Sequence, residues 1–336
     1  MEHMRAARLH VPTHTLSVVE VPKPVPGPGE VLVKVEAAGV CLSDVHLIDG
    51  SLSPLYLTGD TVTLGHEVAG VVDSTGPGVS DWEPGRRVVL QAGETRDGRT
   101  HTRGVDYDGG WAQYALATVG TLIALPDSLP FDQAAIIPDA VSTPWAAVTA
   151  TGGVRPAQAV GVWGAGGLGV HAVQLLRAIG AHPVIAVDPS PAARERALAF
   201  GADLALDSSD PGLREKVLTA AGGAGLETAF DFAGVPAVRE QALTVLAPKG
   251  RLVLVGLTDQ PLTVGNGTLF SYLQHQILGH YGSEEHHVPQ LVRLAEGGRL
   301  DFSRSITDVL ALDDVADAVR RMVTKEGDPI RLILRP

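Results

Sequence analysis

The hydrophobic pattern in the first third of the chain is typical of short strands. Residues 30–37 (EVLVKVEA) alternate apolar and polar positions with a period of two, which predicts a half-buried strand. Residues 68–73 and 87–90 continue this β character, whereas the proline-rich stretch 21–29 (VPKPVPGPG) predicts an extended loop. The pattern therefore predicts a β-rich first domain.

A different pattern begins at residue 159. Residues 159–163 are a short apolar run typical of a buried parallel strand, and from Val170 the apolar residues recur with a helical period. Gly180 predicts the end of that helix, and residues 183–187 predict a second strand. The alternation of strand and helix then continues, which predicts a doubly wound parallel sheet. The further predicted elements are helices at 195–200 and 212–221 and strands at 227–232 and 251–256.

A glycine-rich turn, residues 164–169 (GAGGLG), joins that strand to the helix in the order G-x-G-x-x-G. Gly164 permits the tight turn, Gly166 lets a pyrophosphate approach the backbone, and Gly169 lets the helix pack closely against the strand. Asp188 follows the second strand, where an acid accepts hydrogen bonds from the adenosine ribose. A carboxylate there disfavours the 2′-phosphate of NADP and favours NAD, although Arg194 and neighbouring loops could still help to bind a phosphate.

Length, charge and cysteine content limit the function. A chain of 336 residues predicts about two domains. A net charge of −12 without any Lys/Arg-rich run argues against nucleic acid and anionic membranes as partners. No apolar stretch approaches the ~20 residues of a membrane span, and the N-terminus lacks the apolar core of a signal peptide. The single cysteine excludes an intrachain disulfide, which suits a cytoplasmic location.

Three side chains of the β-rich part have zinc-binding chemistry. Cys41 offers a thiolate, His66 an imidazole and Glu67 a carboxylate. Their wide spacing is not that of a zinc finger, so a catalytic site assembled from different loops is more plausible. Taken singly, a cysteine is usually a small buried hydrophobe and a histidine a satisfied or exposed polar group, and these alternatives remain open at this point.

The motifs together resemble the medium-chain zinc alcohol dehydrogenase family. Residues 41–46 read C-x-S-D-x-H, a G-H-E follows at residues 65–67, and the dinucleotide turn comes later. The resemblance covers essentially the whole chain and includes the PGPGEV loop and residues 109–114 and 330–334. It implies an α/β fold with a GroES-like β-rich catalytic domain at 1–140 and 283–336. A Rossmann domain with a doubly wound parallel sheet would occupy 141–282.

The resemblance also implies the zinc ligands. Cys41 and His66 match two of them, and Asp139 stands where many members place a third, a cysteine. Glu67 matches a nearby carboxylate that can exchange onto the metal. Asp44 matches the acid that orients the ligating histidine, with helix capping as its alternative function.

Ser43 and His46 match the proton relay of the family. A hydroxyl beside a zinc ligand and a solvent-facing histidine would carry a proton out of a buried site. His46 taken alone could be a plain surface residue. The residues that match cofactor contacts are Thr143 (nicotinamide face), Leu168 (behind the ring), Val255, Gly256 and Leu257 (carboxamide), Arg331 (pyrophosphate), Asp188 (ribose), and Gly164, Gly166, Gly167 and Gly169 (phosphates).

Some expected features are missing. Many members hold a second, structural zinc with four cysteines, but the corresponding region here, between residues 88 and 114, contains none. One catalytic zinc per chain is therefore expected, with His101 in a solvated loop. Ala92 falls where some members place a bulky aromatic residue, which predicts a roomier substrate pocket. The pair His286 and His287 is expected at the surface rather than at a metal.

We therefore expect a zinc-dependent oxidoreductase that interconverts a secondary or bulky alcohol and its carbonyl compound with NAD(H). The alternative enzyme is a zinc-independent quinone or enoyl reductase of the same superfamily, and a third possibility is a non-catalytic scaffold. The expected partners are a small-molecule substrate and further copies of the chain, as a homodimer or homotetramer.

Overall fold

The computed structural model describes residues 2–336, and these residues form eighteen strands and ten α-helices. The strands are β1 His3–His10, β2 Thr15–Pro22, β3 Glu30–Val40, β4 Thr61–Thr63, β5 Val68–Thr75, β6 Arg87–Leu90, β7 Gly93–Arg96, β8 Arg99–Thr102, β9 Tyr114–Thr118, β10 Leu122–Ala124, β11 Val160–Trp163, β12 Val184–Val187, β13 Leu204–Leu206, β14 Leu226–Asp231, β15 Leu246–Leu254, β16 Gln276–Gly279, β17 Ile306–Ala311 and β18 Arg331–Arg335. The helices are α1 Leu42–Asp49, α2 Phe131–Ala135, α3 Ser142–Ala146, α4 Gly169–Ile179, α5 Pro191–Ala199, α6 Leu213–Ala220, α7 Pro236–Leu243, α8 Gly267–Tyr272, α9 His287–Glu296 and α10 Val315–Thr324.

The chain divides into two compact units. The first contains the chain as far as Asp139 together with Val288–Pro336, and the second contains Ala140–His287. The sequence predicted 1–140 with 283–336 and 141–282, so the return to the first unit comes five residues later than expected. No helix of the described residues is both long and apolar enough to cross a bilayer.

The first unit is built on a seven-stranded sheet in the order β10-β6-β5-β3-β18-β17, with β9 also paired to β3. A second sheet has the order β2-β1-β4, and β7 and β8 form a separate hairpin. The apolar positions of the alternating strands, among them Val33, Val35 and Val72, point into one core together with Trp111. Strands predicted at 30–37, 68–73 and 87–90 are confirmed, the first two with longer bounds.

The second unit is a six-stranded parallel sheet in the order β13-β12-β11-β14-β15-β16. Side chains of its strands pack into two separate hydrophobic cores. Val160 and Val162 belong to one core, and Trp163 and Ile185 belong to the other. A parallel sheet covered on both faces is the predicted doubly wound fold. The strand order reverses between β11 and β14, and the glycine turn directly follows β11.

Three local expectations need correction. Residues 42–49, for which no helix was predicted, form α1. His101 lies in the β7–β8 hairpin, with its ring centroid 4.6 Å from that of Tyr56, rather than in a solvated loop. His287 is buried and its Nδ1 accepts a hydrogen bond from the backbone of Glu284, so only His286 of that pair is a surface residue.

Candidate active site

Cys41 stands immediately before α1, and an acid follows three residues later. The Asp44 carboxylate is fully buried, and its Oδ2 accepts a hydrogen bond from the Cys41 backbone N–H at 2.9 Å. This contact satisfies a backbone donor at the start of the helix. The other oxygen, Oδ1, lies 3.4 Å from Nδ1 of His66. The capping contact and the histidine contact, alternatives in the sequence, are both present because each uses a different carboxylate oxygen.

Three potential ligand atoms converge beside this helix. The ligand atoms of Cys41, His66 and Asp139 all lie within 4.8 Å of one another. Oδ2 of Asp139 is 3.3 Å from Sγ of Cys41 and 3.4 Å from Nε2 of His66. The fold thus joins residues that are 98 positions apart in the sequence.

The spacing of these atoms fits a zinc ion. Zinc bonds of about 2.0–2.3 Å in a tetrahedron place neighbouring ligand atoms about 3.3–3.8 Å apart. Both of the measured separations from Asp139 lie in this range. The donor set of one sulfur, one nitrogen and one oxygen is also one that zinc accepts, and three protein ligands leave a fourth position for substrate.

A buried ion pair adjoins the three ligands. Nη2 of Arg331 lies 3.3 Å from Oε1 of Glu67 and 3.6 Å from Oδ2 of Asp139. Glu67 and Arg331 are 0% and 1% exposed, so their charges are screened little by water. Burial by itself would lower the pKa of Arg331, but the charges of Glu67, Cys41 and Asp139 raise it, so the guanidinium is cationic.

The position of Arg331 adds to what the sequence predicted. The resemblance implied a contact with the cofactor pyrophosphate, whereas the structure places the guanidinium against two carboxylates of the candidate metal site. It provides positive charge where Cys41, Glu67 and Asp139 concentrate negative charge. The pyrophosphate contact stays a prediction.

The backbone of β3 makes room for Glu67. A Cβ atom at Gly39 would lie 2.9 Å from Cβ and from Cδ of Glu67, and closer still to Oε2. Gly39 also donates its N–H to the Glu67 carbonyl at 2.8 Å and accepts a hydrogen bond from Nε1 of Trp111 at 3.0 Å. A side chain at position 39 would displace the carboxylate from its place beside Arg331.

The environment of His66 changes its pKa. Burial favours the neutral ring and lowers the pKa, but the Asp44 charge and hydrogen bonds to Asp139, Asp44 and Cys41 outweigh burial, and the pKa lies well above its usual value. Without a metal, the surrounding carboxylates therefore favour the protonated ring. A metal at Nε2 must displace that proton, and the Asp44 contact keeps the other proton on Nδ1.

The predicted relay residues lie on α1. Oγ of Ser43 is 3.1 Å from Sγ of Cys41, so a hydroxyl stands beside a candidate ligand. His46 is half-buried one turn further along the helix. The path from Ser43 to His46 stays a prediction.

The glycine turn of the second unit has the backbone that its sequence requires. Gly164 has a φ of +90°, which favours glycine. A Cβ at Gly169 would lie 2.9 Å from the carbonyl carbon of Gly164 and closer to its oxygen, so the start of α4 packs on the strand end. Gly166 is exposed and a Cβ there would meet nothing within 4 Å. Packing therefore explains two of the three glycines, while the open space at Gly166 leaves room for a ligand.

The glycine turn is held in place by two side chains. Nδ1 of His171 donates to the carbonyl of Gly167 at 2.7 Å. Asp188 accepts backbone N–H groups on both oxygens, from Ala165 at 2.8 Å and from Ser190 at 2.9 Å. The acid thus lies against the glycine turn, where the dinucleotide fingerprint requires it.

Arg194, which could have assisted a 2′-phosphate, has other partners. Its Nη1 donates to the carbonyls of Asp188 and Pro189, each at 2.8 Å. The same atom lies 3.2 Å from Oδ2 of Asp207. Nη1 of Arg194 is therefore hydrogen-bonded to the loop that follows β12.

The predicted nicotinamide contacts lie in three segments. Ser142 and Thr143 are buried at the start of α3. In a second segment, Gly256 donates its N–H to the carbonyl of Asp231 at 2.8 Å and accepts from Nη2 of Arg239 at 3.0 Å. The remaining predicted contacts are Val255, which is buried, Leu168, which is half-buried, and Leu257, which is 55% exposed.

The region without cysteines is organised by a buried acid and a buried arginine. Asp106 accepts backbone N–H groups from Leu55 and Tyr56 on Oδ1 and from Thr102 on Oδ2. Arg103 donates to the carbonyl of Leu116 at 2.8 Å. These bonds join the segment that follows β8 to the loop at Leu55 and Tyr56 and to strand β9.

Sequence reasoning missed several of these residues. Gly39 and Arg239 act through contacts with residues 28 and 17 positions away, Glu67 and Gly256, that no local motif encodes. Asp106 and Arg103 gave no signal of burial, because they stand in a stretch rich in charged residues, glycine and threonine that resembles an exposed loop. Buried charges require partners, and the fold supplies them.

Comparison with known proteins gives a consistent assignment. Residues 27–127 match the alcohol dehydrogenase GroES-like domain, and residues 167–297 match the zinc-binding dehydrogenase family. An NDMA-dependent alcohol dehydrogenase of Amycolatopsis methanolica is 31% identical over 98% of both chains.

Solved structures agree. A zinc-binding dehydrogenase of Sinorhizobium meliloti 1021, bound to NADP, superposes with a TM-score of 0.90 at 25% identity over the whole of both chains. The 2R,3R-butanediol dehydrogenase of Bacillus subtilis superposes with a TM-score of 0.91 at 25% identity over 99% of both chains. The chain therefore belongs to the zinc-type medium-chain dehydrogenase family, whose enzymes interconvert alcohols and carbonyl compounds.

Proposed function

We propose that the chain is an alcohol dehydrogenase that holds one catalytic zinc with Cys41, His66 and Asp139 and uses NAD(H). The observation that carries the proposal is the convergence of three ligand atoms, with Oδ2 of Asp139 at distances from Cys41 and His66 that fit a tetrahedral zinc ion. Bound there, zinc would supply a Lewis acid for the substrate oxygen, and NAD(H) would supply the hydride acceptor or donor.

The side chains around the ligands set their protonation. Asp44 holds the proton of His66 on Nδ1, which leaves the lone pair of Nε2 for the metal. Arg331 offsets the charge of Glu67, so that this carboxylate stands beside the site as half of an ion pair. Glu67 can exchange onto the metal only by giving up part of that pair.

Ser43 is the proposed first proton acceptor. Oxidation of an alcohol releases a proton in a buried place, and the hydroxyl of Ser43 lies 3.1 Å from a ligand atom, Sγ of Cys41. His46, half-buried one turn further along α1, is the proposed end of the path. An imidazole is suited to pass the proton to water because its pKa lies near neutrality.

NAD(H) is proposed over NADP(H) for two reasons. Asp188 presents a carboxylate that attracts a ribose hydroxyl and repels a 2′-phosphate. Nη1 of Arg194 is bonded to its own loop and lies beside Asp207, so these groups already compete with a phosphate for this guanidinium. Because the Sinorhizobium relative is bound to NADP, a preference for NAD(H) is not a property of the whole family and has to be tested on this chain.

The proposed substrate is a secondary or bulky alcohol. Ala92 replaces the larger residue that would narrow the pocket, and the Bacillus relative is named for an alcohol of the secondary type. A panel of primary and secondary alcohols assayed with NAD⁺ tests this choice. Higher kcat/KM for the secondary members is expected, and a preference for ethanol would contradict it.

The proposed assembly is a homodimer formed along β16, with a homotetramer as the alternative. β16 is the edge of the parallel sheet, and an exposed edge strand is a surface for pairing. Light scattering of the intact protein and of Leu269→Glu tests this assembly. The chain between β15 and β16 also carries exposed apolar side chains: Leu257, Leu262, Val264, Leu269 and Tyr272.

The central test is the variant Cys41→Ser. Loss of bound zinc and of NAD-linked alcohol oxidation together is expected, because the thiolate is both a ligand and the neighbour of Ser43. Full turnover by folded Cys41→Ser protein would contradict the proposed mechanism. Turnover of activated C=C substrates without zinc would instead support the quinone or enoyl reductase alternative.

A further inference from the structure

The segment that carries Ser142 and Thr143 has an irregular backbone. Two single π-type turns, Ile137–Val141 and Ala147–Thr151, flank the short helix α3. Such turns leave a wider helix with fewer regular hydrogen bonds, and they are frequent at functional sites. A segment of this kind needs contacts from outside to fix its conformation.

His280 supplies such contacts at two positions of the segment, one in α3 and one at its C-terminal end. Its Nε2 lies 3.0 Å from the carbonyl oxygen of Thr143, and its Nδ1 lies 2.8 Å from Oγ1 of Thr151. A carbonyl only accepts hydrogen bonds, so Nε2 carries the proton and donates it. In the neutral ring Nδ1 then accepts from the Thr151 hydroxyl. Burial lowers the pKa of His280, which keeps the ring in this neutral form at neutral pH.

A second bond strengthens the attachment. Three residues after His280, Oγ of Ser283 donates to Oγ of Ser142 at 2.9 Å. The stretch that follows β16 therefore holds both residues at the start of α3. Because β16 is part of the parallel sheet, these bonds attach the segment to a rigid element of the same unit.

We propose that His280 is a positioning residue for cofactor binding: it bridges Thr143 and Thr151 and thereby holds the Thr143 side chain where it meets the nicotinamide. The inference rests on the proposed function, because the nicotinamide contact of Thr143 is part of it. His280 itself acts through the segment and need not touch the cofactor. Thr151 is the second anchor of the same bridge.

The proposal predicts a specific loss in cofactor affinity. In the intact protein, His280→Ala removes the two hydrogen bonds of the bridge, so we expect the Kd for NADH to rise about tenfold. The KM for NAD⁺ should rise in parallel, with little change in the KM for the alcohol. Thr151→Val, which removes one bond, should give a rise of about threefold.

Rescue separates positioning from general stability. His280→Gln places an amide N–H near the former Nε2, so it should restore most of the affinity for NADH. His286→Gln is the matched control, because His286 is an exposed histidine of the same loop and should bind NADH as the wild type does. NADH fluorescence titration of all four variants and the wild type provides the readout.

The outcomes are distinct. If the wild type binds NADH and folded His280→Ala binds it equally well, the proposal is wrong. A loss in His280→Ala that His280→Gln does not rescue also contradicts it, since a general structural effect would give that result. If His280→Ala does not fold, an unchanged Kd for Thr151→Val overturns the bridge. A wild type that binds no dinucleotide would overturn the proposed function itself, and this inference with it.

Discussion

Asp44 and His66 are joined by a single carboxylate oxygen: Oδ1 of the acid lies 3.4 Å from Nδ1 of the ring, while Oδ2 caps α1. The same side chain therefore starts the helix that follows Cys41 and fixes which nitrogen of His66 faces Cys41 and Asp139. Helix formation and metal-site geometry depend on one buried group. This coupling gives the first of our predictions.

Asp44→Asn should lower zinc affinity by about 10–100-fold while the protein stays folded. The amide oxygen can still accept from Cys41 N–H, but the NH₂ group then faces Nδ1 and moves the ring proton to Nε2, the ligand nitrogen. Competition with a chromogenic chelator measures the affinity. Asp210→Asn, an acid of the second unit paired with Lys216, is the control. Wild-type zinc affinity in Asp44→Asn would contradict the orienting contact.

Gly39→Ala should destabilise the protein by about 1–3 kcal/mol, because the new methyl group overlaps the Glu67 carboxylate. The displaced carboxylate should also lose its pair with Arg331, so zinc affinity should change along with stability. Urea unfolding measures the first effect. The control is Gly120→Ala, where a Cβ meets nothing within 4 Å. Equal stability of the two variants would show that β3 tolerates a side chain beside Glu67.

Zinc binding should release protons and weaken as the pH falls. The pKa of His66 is raised in the metal-free protein, so the ring gives up a proton when zinc binds. For each proton released, affinity should fall by about tenfold per pH unit below the raised pKa. Calorimetry in buffers of different ionisation enthalpy counts the protons.

The same pKa has a consequence for stability without zinc. A raised pKa in the folded state stabilises the metal-free protein below the unfolded value near 6.5, and this contribution is lost as the pH rises through the raised pKa. The stabilisation conferred by zinc should therefore grow over that range. Zinc binding without proton release at pH 7 would contradict a protonated His66.

Asp188→Asn should lower the ratio of kcat/KM for NAD⁺ over NADP⁺ by at least about tenfold, because it removes the charge that repels a 2′-phosphate. The amide oxygen can replace one of the two backbone contacts that the acid makes, to Ala165 or to Ser190. Steady-state kinetics with both cofactors measures the ratio. A wild-type protein that prefers NADP⁺ would overturn the proposed specificity before any variant is made.

The fold was predictable wherever one local pattern decided the structure. The glycine turn, the helix to Ile179 and the strand before Asp188 needed only periodicity and turn chemistry. Helix α1 was missed because it is only eight residues long, about two turns, and its start is fixed by the Asp44 cap rather than by a long apolar stripe. Local pattern carries little information where a side-chain contact starts the element.

The sequence predicted which residues form the candidate site better than it predicted which residues contact one another. Cys41, His66 and Asp139 came from motifs, and the structure brings them together. The pairing of Arg331 with Glu67 joins residues 264 positions apart, and sequence gave Arg331 a different partner. The burial of His287 likewise depends on packing that an adjacent His-His pair does not reveal.

The most direct test is the metal content of protein purified without added zinc or chelator, measured by mass spectrometry. A single catalytic site of Cys41, His66 and Asp139, with no cysteines for a structural site, predicts about one zinc per chain, lost in Cys41→Ser. About two per chain would mean that the β7–β8 region also holds a metal. Essentially none, in folded protein that still binds NADH, would contradict the zinc-dependent mechanism.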